Sequence, residues 1–523
     1  MPISFSNIPA DWRLPLFWAE VDPSKAGLWT IRQPALLVGI KEPAPAGLAL
    51  PDVAIPIASQ AQADKQFGQG SQLALMFRAF FAGNASHEVW GLPVAEPAAG
   101  TAATGTIIAT IGAGGHEAGT IHLYVAGKHV PVNIGAADTV TQIHSAIAAA
   151  INDDFDLPVS AVGVVGQVTL TARWVGASGN DIDMRDSYYG RLGSEELPTG
   201  ITLAYSGGGM LAGGAGVPVF DTAIANLGER SFEFVALPFN DSTSLMAWNL
   251  EYGFTDSGRW GWMRQLYGHI FSAKRAAYAD MITFGELQNS GLLSVMGVEL
   301  ESPSPIYEWV SAYTAKAARG LTNDPARPLQ TLSLTNIKPA PLHERFNRQE
   351  LNVLASYGIA TQEAGSDGAP MILRESTTYQ LNLYGQGDDA YELVTTLATL
   401  ARLLRNQRQA ITSKFPRHKL ANDGTRFGPG QAIVTPGLIK AELVAEYRID
   451  EFNGLVEDVR SFKENLIVER DVNNPNRVNV LYPPDLINQL RVFAVLAQFR
   501  LQFERGVDVR GDNDIRMAAG GAG

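Results

Sequence analysis

The chain has 523 residues, 46% hydrophobic and 18% charged, with a formal net charge of -13; that length predicts two to four domains, and the apolar share excludes a disordered chain. No Lys/Arg run exceeds two residues, so the footprint of a phosphate-binding surface is missing and direct nucleic-acid binding is not expected. The absence of cysteine removes disulfides, thiolate metal sites and cysteine nucleophiles, and the lack of a basic-then-apolar leader or of any run of about 18 apolar residues predicts a cytoplasmic product without membrane insertion.

Residues 1–25 read as an extended arm, because Pro2, Pro9 and Pro15 punctuate two strand-like stretches, 3–5 and 14–21. An ordinary N-terminal strand pairing within its own domain is the plainer alternative. Residues 26–94 turn to an α/β pattern, with an apolar strand at 35–40, a helix over 70–82 whose Leu73, Met76, Phe77 and Phe80 share one face, and a strand from Val89. Gly/Ala/Pro/Thr stretches at 96–105 and 206–216 read as linkers bordering an inserted domain, 95–216. Inside it, alternation predicts strands at 106–111, 120–125, 130–134, 159–164, 168–174 and 201–205, and a helix from Asp138 carries Val140, Ile143, Ile147 and Ile151 on one stripe. The insert is expected to be a small, sandwich-like α+β unit that faces outward.

The α/β pattern resumes over 217–330: strands at 232–237, 269–271 and 292–298 alternate with helices at 242–252, 274–287 and 305–318, which implies a largely parallel, helix-covered sheet. Pro325, Pro328, Pro339 and Pro341 mark a link to a C-terminal part, 331–488. That part opens with a helix at 347–357 and strands at 371–373 and 377–384. A long helix over 388–411 follows, with Leu393, Leu397, Leu400 and Leu404 as its apolar stripe and Arg402, Arg405 and Arg408 in its last turns. Helices at 437–451 and 455–466 lead to three strands of a meander, 466–471, 477–481 and 489–503, the last forming a C-terminal arm, 489–506, before a polar then Ala/Gly-only tail, 507–523. The fold class is therefore a multidomain α/β and α+β chain, with an α/β core, an inserted α+β domain and a C-terminal domain flanked by extended arms.

Searches for catalytic signatures find no G-x-S-x-G elbow, no phosphate-binding P-loop and no H-E-x-x-H; His116-Glu117 and His343-Glu344 lack the second histidine. The nearest nucleotide signal is 385–390, where Gly385 and Gly387 follow one expected strand and open the long helix, but Asp388 and Asp389 put two carboxylates where a pyrophosphate needs bare N–H groups. A nucleotide-dependent α/β enzyme using this loop is the rival reading. His116, His122, His129 and His144 share the insert without any standard ligand spacing and read as surface or hydrogen-bonded histidines, so no metal is assigned. Asn180, Asp181, Asp183 and Asp186 lack the glycine and closing glutamate of a Ca²⁺ loop and read as a solvated turn. The arginines of the long helix, with Arg417, His418 and Lys419, are either a contact face for an acidic partner or solvated charges favoured by the helix dipole.

Two stretches are distinctive. The opening Ile3-Ser4-Phe5-x-x-Ile8-Pro9-x-Asp11-x-Arg13-x-Pro15 and the closing Val468-Glu469-Arg470-Asp471 with Asn476-Arg477-Val478-Asn479-Val480-Leu481-x-Pro483-Pro484-Asp485-Leu486 resemble the two ends of the Mu-like family of contractile-phage tail sheath proteins. Phe67-Gly68-Gln69-Gly70-Ser71 and Phe232-Glu233-Phe234-Val235-Ala236-Leu237-Pro238 recur in family position; the insert matches least, and the tail after Phe499 carries no family signal. The resemblance implies a non-enzymatic structural subunit without cofactor, located in the virion tail after synthesis in the bacterial host cytoplasm. It would form hexameric rings stacked as a helical polymer around a tail tube protein, meet baseplate and tail terminator proteins, and contract to drive the tube through the host envelope. The sheath of a phage-derived contractile bacteriocin is the alternative within this class. The resemblance further implies strand exchange between subunits, carried here by Ile3, Phe5, Leu14, Leu16, Phe17 and Val21 at one end and Leu490, Val492, Val495 and Phe499 at the other. It makes Arg402, Arg405 and Arg408 candidate contacts to the tube.

Overall fold

A computed structural model describes residues 32–499, so the expectations for Ile3, Phe5, Leu14, Leu16, Phe17 and Val21 lie outside the described residues. The contacts divide the chain into two units, the first ending at Ile487 and the second beginning at Asn488.

The body of the first unit begins with β1 (Ala35–Ile40), β2 (Ile55–Ile57), α1 (Gln60–Phe67), α2 (Gln72–Gly83) and β3 (Val89–Val94). The insert follows: β4 (Ala102–Ile111), β5 (Gly119–Val125), β6 (Lys128–Ile134), α3 (Val140–Asp153), β7 (Val159–Val164), β8 (Gln167–Val175), β9 (Met184–Asp186) and β10 (Ile201–Tyr205). The body resumes with α4 (Asp221–Leu227), β11 (Phe234–Ala236), α5 (Ser242–Tyr252), β12 (His269–Ala276), α6 (Tyr278–Glu286), β13 (Leu293–Glu299), α7 (Ile306–Asn323), α8 (Arg348–Ser356), β14 (Ile359–Ala364) and β15 (Pro370–Arg374). Last come α9 (Val394–Lys414), β16 (Lys419–Leu420), β17 (Ile433–Val434), α10 (Pro436–Phe452), α11 (Val459–Asn465), β18 (Ile467–Arg470) and β19 (Val478–Leu481).

The central sheet has eight strands in the order β15-β14-β13-β12-β11-β1-β3-β2. Its inner strands run parallel, with antiparallel β2 and β15 at the two edges. Every residue of β1 and β13 is buried, as strands covered on both faces require, which is why their unbroken apolar runs are legible in the sequence. The helices α2 and α7 pack against each other and on β1, β11 and β12, and they bury Phe77, Phe80, Trp309, Val310 and Tyr313 completely.

Residues 331–380, expected in the C-terminal part, instead supply α8, β14 and β15 to this body. The prolines before them punctuate a loop within the domain, and composition does not say which sheet a strand will join. The expected strand at 377–384 is an irregular connection, buried at its start and exposed at Leu381, Leu383 and Tyr384: Thr377 and Thr378 are fully buried, and their hydroxyls donate to the carbonyls of Tyr391 at 2.6 Å and Ser290 at 3.1 Å. These β-branched residues serve backbone satisfaction instead of a ladder. The long helix starts at Val394, not Asp388, because Leu393 is still paired in extended conformation with Ser376.

Within the insert, one antiparallel sheet has the order β10-β4-β8-β7 and a second has the order β6-β5-β9, with α3 packed against strands of both. Helix α3 starts one residue later than expected, at a capping box of Thr139 and Gln142. The Gly/Ala-rich borders are not loose linkers. Thr101 pairs with Ala215 and Thr104 with Ala212, so the entering and leaving chains are zipped together, and Ala102–Gly105 already belong to β4. A Cβ on Gly105 would lie 2.5 Å from Met184 Cε, and one on Gly214 would lie 2.7 Å from the Gly176 carbonyl. Small residues are needed here because backbones and core side chains approach closely, not because the segment must flex.

The insert is fastened to the body. Asp181 accepts a hydrogen bond from the Ile306 N–H at the first turn of α7, and its carboxylate lies 3.3 Å from Arg275 Nε, while Arg275 Nη2 donates to the Ser304 carbonyl at 2.7 Å. Trp174 meets Tyr307 edge-on with ring centroids 5.6 Å apart, and Asp156 takes Arg78 at 2.6 Å and Gln69 at 2.8 Å. The acidic group read as a solvated turn is thus structural: Asp181 caps a helix, Asp183 is buried against Arg185 at 2.6 Å, and Asp186 accepts from Tyr205 at 2.8 Å. Asp181→Ala strands the nearly buried Arg275 and uncaps α7. It is expected to cost about 3 kcal/mol, seen as a lowered thermal unfolding midpoint, whereas Glu196→Ala, at an exposed position, should leave the midpoint unchanged.

Candidate assembly site

The C-terminal domain has a core of its own, in which Leu403 of α9, Leu443 and Tyr447 of α10, and Phe462 of α11 are buried together. Tyr447 and Phe462 stack with centroids 3.7 Å apart and an interplanar angle of 5°. The phenol of Tyr447 donates to the Glu457 carbonyl at 2.7 Å and accepts from the Asp485 N–H at 3.1 Å. Val456 bridges Leu486, and the Glu457 and Ile487 N–H groups donate to Asp485 and Leu455. The chain is therefore pinned down as far as Ile487.

Upstream of that point β18 and β19 form an antiparallel hairpin with Ile467 opposite Leu481 and Arg470 opposite Val478. It is a two-stranded sheet, and among the described residues neither strand has a second neighbour. Ile467, Val480 and Leu481 stay exposed on it. Val478 and Val480 also line a groove of about 670 Å³, with Trp260, Trp262, Leu400 and Leu404. Three leucines of the expected apolar stripe of the long helix, Leu397, Leu400 and Leu404, line this groove, Leu397 at its buried end. The sequence gives no sign of the groove, because its walls come from segments far apart in the chain.

In the second unit, the expected strand at 489–503 is absent from the described part: residues 488–499 carry no regular structure. Leu490, Val492, Val495 and Phe499, together with Phe493 and Leu496, are 69–86% exposed. A strand needs a neighbour to accept its backbone hydrogen bonds, and among the described residues 488–499 join no sheet.

The arginines of α9 part company. Arg402 donates to the Thr322 carbonyl at 3.0 Å, and Arg405 pairs with the buried Glu233 while its guanidinium lies 4.9 Å from the Tyr267 ring centroid. Both join α9 to the α/β body; Arg408 alone of the three is exposed. The glycines of the nucleotide-like loop, Gly385 and Gly387, lie in a turn closed by the Leu381–Gly387 bridge, several residues before α9 begins. Asp388 there accepts the Tyr379 hydroxyl at 2.5 Å, so the glycines neither open a helix nor present its N-terminus.

Of the four insert histidines, His116 bonds the Gly135 carbonyl at 2.9 Å and buried His144 accepts from the Ala109 N–H at 3.0 Å. His122 and His129, seven positions apart, meet across the β5–β6 hairpin. The Phe67–Ser71 motif also gains a physical reading. Gly68 ends α1 at φ +91°, Gly70 at φ +85° would drive a Cβ to 2.7 Å from the insert's Phe155 carbonyl, and Ser71 caps α2 by accepting from Ala74 at 3.2 Å.

Residues 213–378 match the phage tail sheath protein central domain, and residues 386–500 match the phage tail sheath C-terminal domain. The tail sheath protein of the Mu-like prophage FluMu of Haemophilus influenzae is 40% identical over 503 residues, covering 96% of this chain and 100% of the relative. Among solved structures, the sheath tail protein from Listeria innocua aligns over 88% of this chain and 92% of its own, at 12% identity and a TM-score of 0.46. That from Desulfitobacterium hafniense aligns over 91% and 100%, at 12% identity and a TM-score of 0.44.

The two classes of arginine are separable. Arg405→Ala leaves the buried Glu233 without its cation and should destabilise the protein by about 3 kcal/mol, while Arg408→Ala should leave the unfolding midpoint in urea where it was. Asp450 of α10 offers a pH test of the same domain. Burial pushes its carboxyl from 3.8 up to about 6, against the opposing hydrogen bond from Asn406 at 2.7 Å. The folded state then holds this proton more tightly than the unfolded chain, so the stability it contributes is present below the unfolded value and is lost as pH rises through about 6. Asp450→Asn should melt above the parent at about pH 8, with the gap closing toward about pH 4.

Proposed function

Because the chain belongs to the Mu-like family of phage tail sheath proteins, we propose that it polymerises as stacked hexameric rings around a tail tube, between a baseplate and a tail terminator, and that contraction of this polymer drives the tube through the host envelope. The subunit is made in the bacterial cytoplasm and resides in the virion tail. The near-complete coverage of a Mu-like prophage relative favours a phage tail over a bacteriocin.

The observation that carries the assembly reading is the pairing of incomplete surfaces at the C-terminal end. Among the described residues, the two-stranded hairpin of β18 and β19 has no third strand, and the apolar segment 488–499 joins no sheet. The segment from a second copy, adding a strand to this hairpin, satisfies both, with Leu490, Val492, Val495 and Phe499 as its side-chain anchors. Residues 3–5 and 14–21 play the same part from the other end of the chain, through Ile3, Phe5, Leu14, Leu16, Phe17 and Val21. Backbone ladders of this kind keep neighbours linked while the bodies rotate and slide. Arg408, with Arg417, His418 and Lys419, is the basic surface left for the tube, since Arg402 and Arg405 are spent within the subunit.

Contraction of a metastable polymer runs downhill in free energy, so it calls for no cofactor and no catalytic residue. A chain ending at Ile487, and separately one lacking residues 1–22, should keep the circular dichroism and melting of the parent yet form no cylinders under the electron microscope. Cylinders of normal length from either variant would refute the strand-exchange reading while leaving the family assignment intact.

A further inference from the structure

The β5–β6 hairpin sets Tyr124 opposite His129 and His122 opposite Pro131, which makes the two histidines diagonal neighbours on one face. Their rings stack with centroids 5.2 Å apart at 10°, and His122 Nδ1 lies 3.0 Å from His129 Nε2. After the turn at 190–193 the chain brings in Glu195, and one ligand atom from each of His122, His129 and Glu195 lies within 4.8 Å of the other two.

Glu195 is 7% exposed, and its carboxylate is held from two sides: Oε1 accepts the Tyr124 hydroxyl at 2.5 Å and Oε2 accepts the Tyr189 N–H at 2.9 Å. A buried carboxylate oriented by two donors and aimed at two imidazole nitrogens has the layout of a metal ligand with its outer support in place. In a tetrahedral site with metal–nitrogen bonds of about 2.0–2.1 Å the two nitrogens stand about 3.3 Å apart, a few tenths of an ångström beyond their present separation. Imidazole paired with one carboxylate suits Zn²⁺ or Ni²⁺ and not Ca²⁺ or Mg²⁺, which take oxygen ligands. Exposed His129 leaves a way in for the ion and a water. The Lys338 ammonium, 5.5–5.9 Å from the rings of Tyr124, Tyr188 and Tyr189, is the cation that opposes binding.

We propose that His122, His129 and Glu195 bind one divalent transition-metal ion of the zinc or nickel class, with water completing the coordination, and that the ion clamps the 187–195 segment to the β5–β6 hairpin of the insert. Tyr124 acts as a positioning residue for Glu195. Titration calorimetry of the metal-stripped full chain with Zn²⁺ should give one site per chain. His129→Gln, at an exposed position, and Glu195→Gln should each abolish it, and Tyr124→Phe should weaken it about ten- to a hundredfold. His116→Gln should change nothing. X-ray absorption of the zinc-loaded chain should show two imidazole ligands. If Glu195→Gln fails to fold, as circular dichroism in chelator would show, His129→Gln decides. Absence of a stoichiometric site, or a site that survives His129→Gln, would overturn the proposal.

Discussion

Asp181 holds two otherwise separate constructions together. Its carboxylate belongs to the insert, yet it occupies the N-terminal N–H of α7, the helix over the centre of the main sheet, and neutralises Arg275 from β12. A helix start and a nearly buried guanidinium are both stabilised by a carboxylate at that place, and the insert supplies one. The insert is therefore a structural component of the α/β body as well as an addition to it. The hydrophobic cores run together accordingly, with Trp174 of the insert against Tyr307 of α7.

That continuity explains what the sequence could and could not convey. Strands buried on both faces, such as β1 and β13, announce themselves as unbroken apolar runs, and helix α3 announces itself by the apolar stripe of Val140, Ile143, Ile147 and Ile151. Local chemistry decides those features, so a local reading finds them. The membership of β14 and β15 in the main sheet is decided by tertiary pairing, and the proline cluster before them misleads by looking like a border. Short helices α1 and α4 carry too few turns to show a period and go unread.

The same distinction governs the surfaces. Arg402, Arg405 and Arg408 look alike along the chain, and only the structure shows that Glu233 and the Thr322 carbonyl claim the first two. His122 and His129 match no ligand spacing because their proximity comes from hairpin register, which a linear motif does not encode. The glycine pair at 385 and 387 fails in the opposite direction: its spacing fits a nucleotide loop, but Leu393 stays extended and the helix that would receive a phosphate begins too late. Edge strands β18 and β19, by contrast, were readable, since alternation and the Asn-Asn-Pro turn are local features.

The pinning of 485–487 against 455–457, with Tyr447 beneath, has a mechanical meaning. Tension entering the polypeptide at Asn488 meets short backbone bridges backed by an aromatic stack, and through Tyr447 it passes into α10, a 17-residue helix of the C-terminal core. A tug on the tail end is thus opposed by the 455–457 and 485–487 backbone bridges together with the Tyr447 hydroxyl, and reaches the folded core through them.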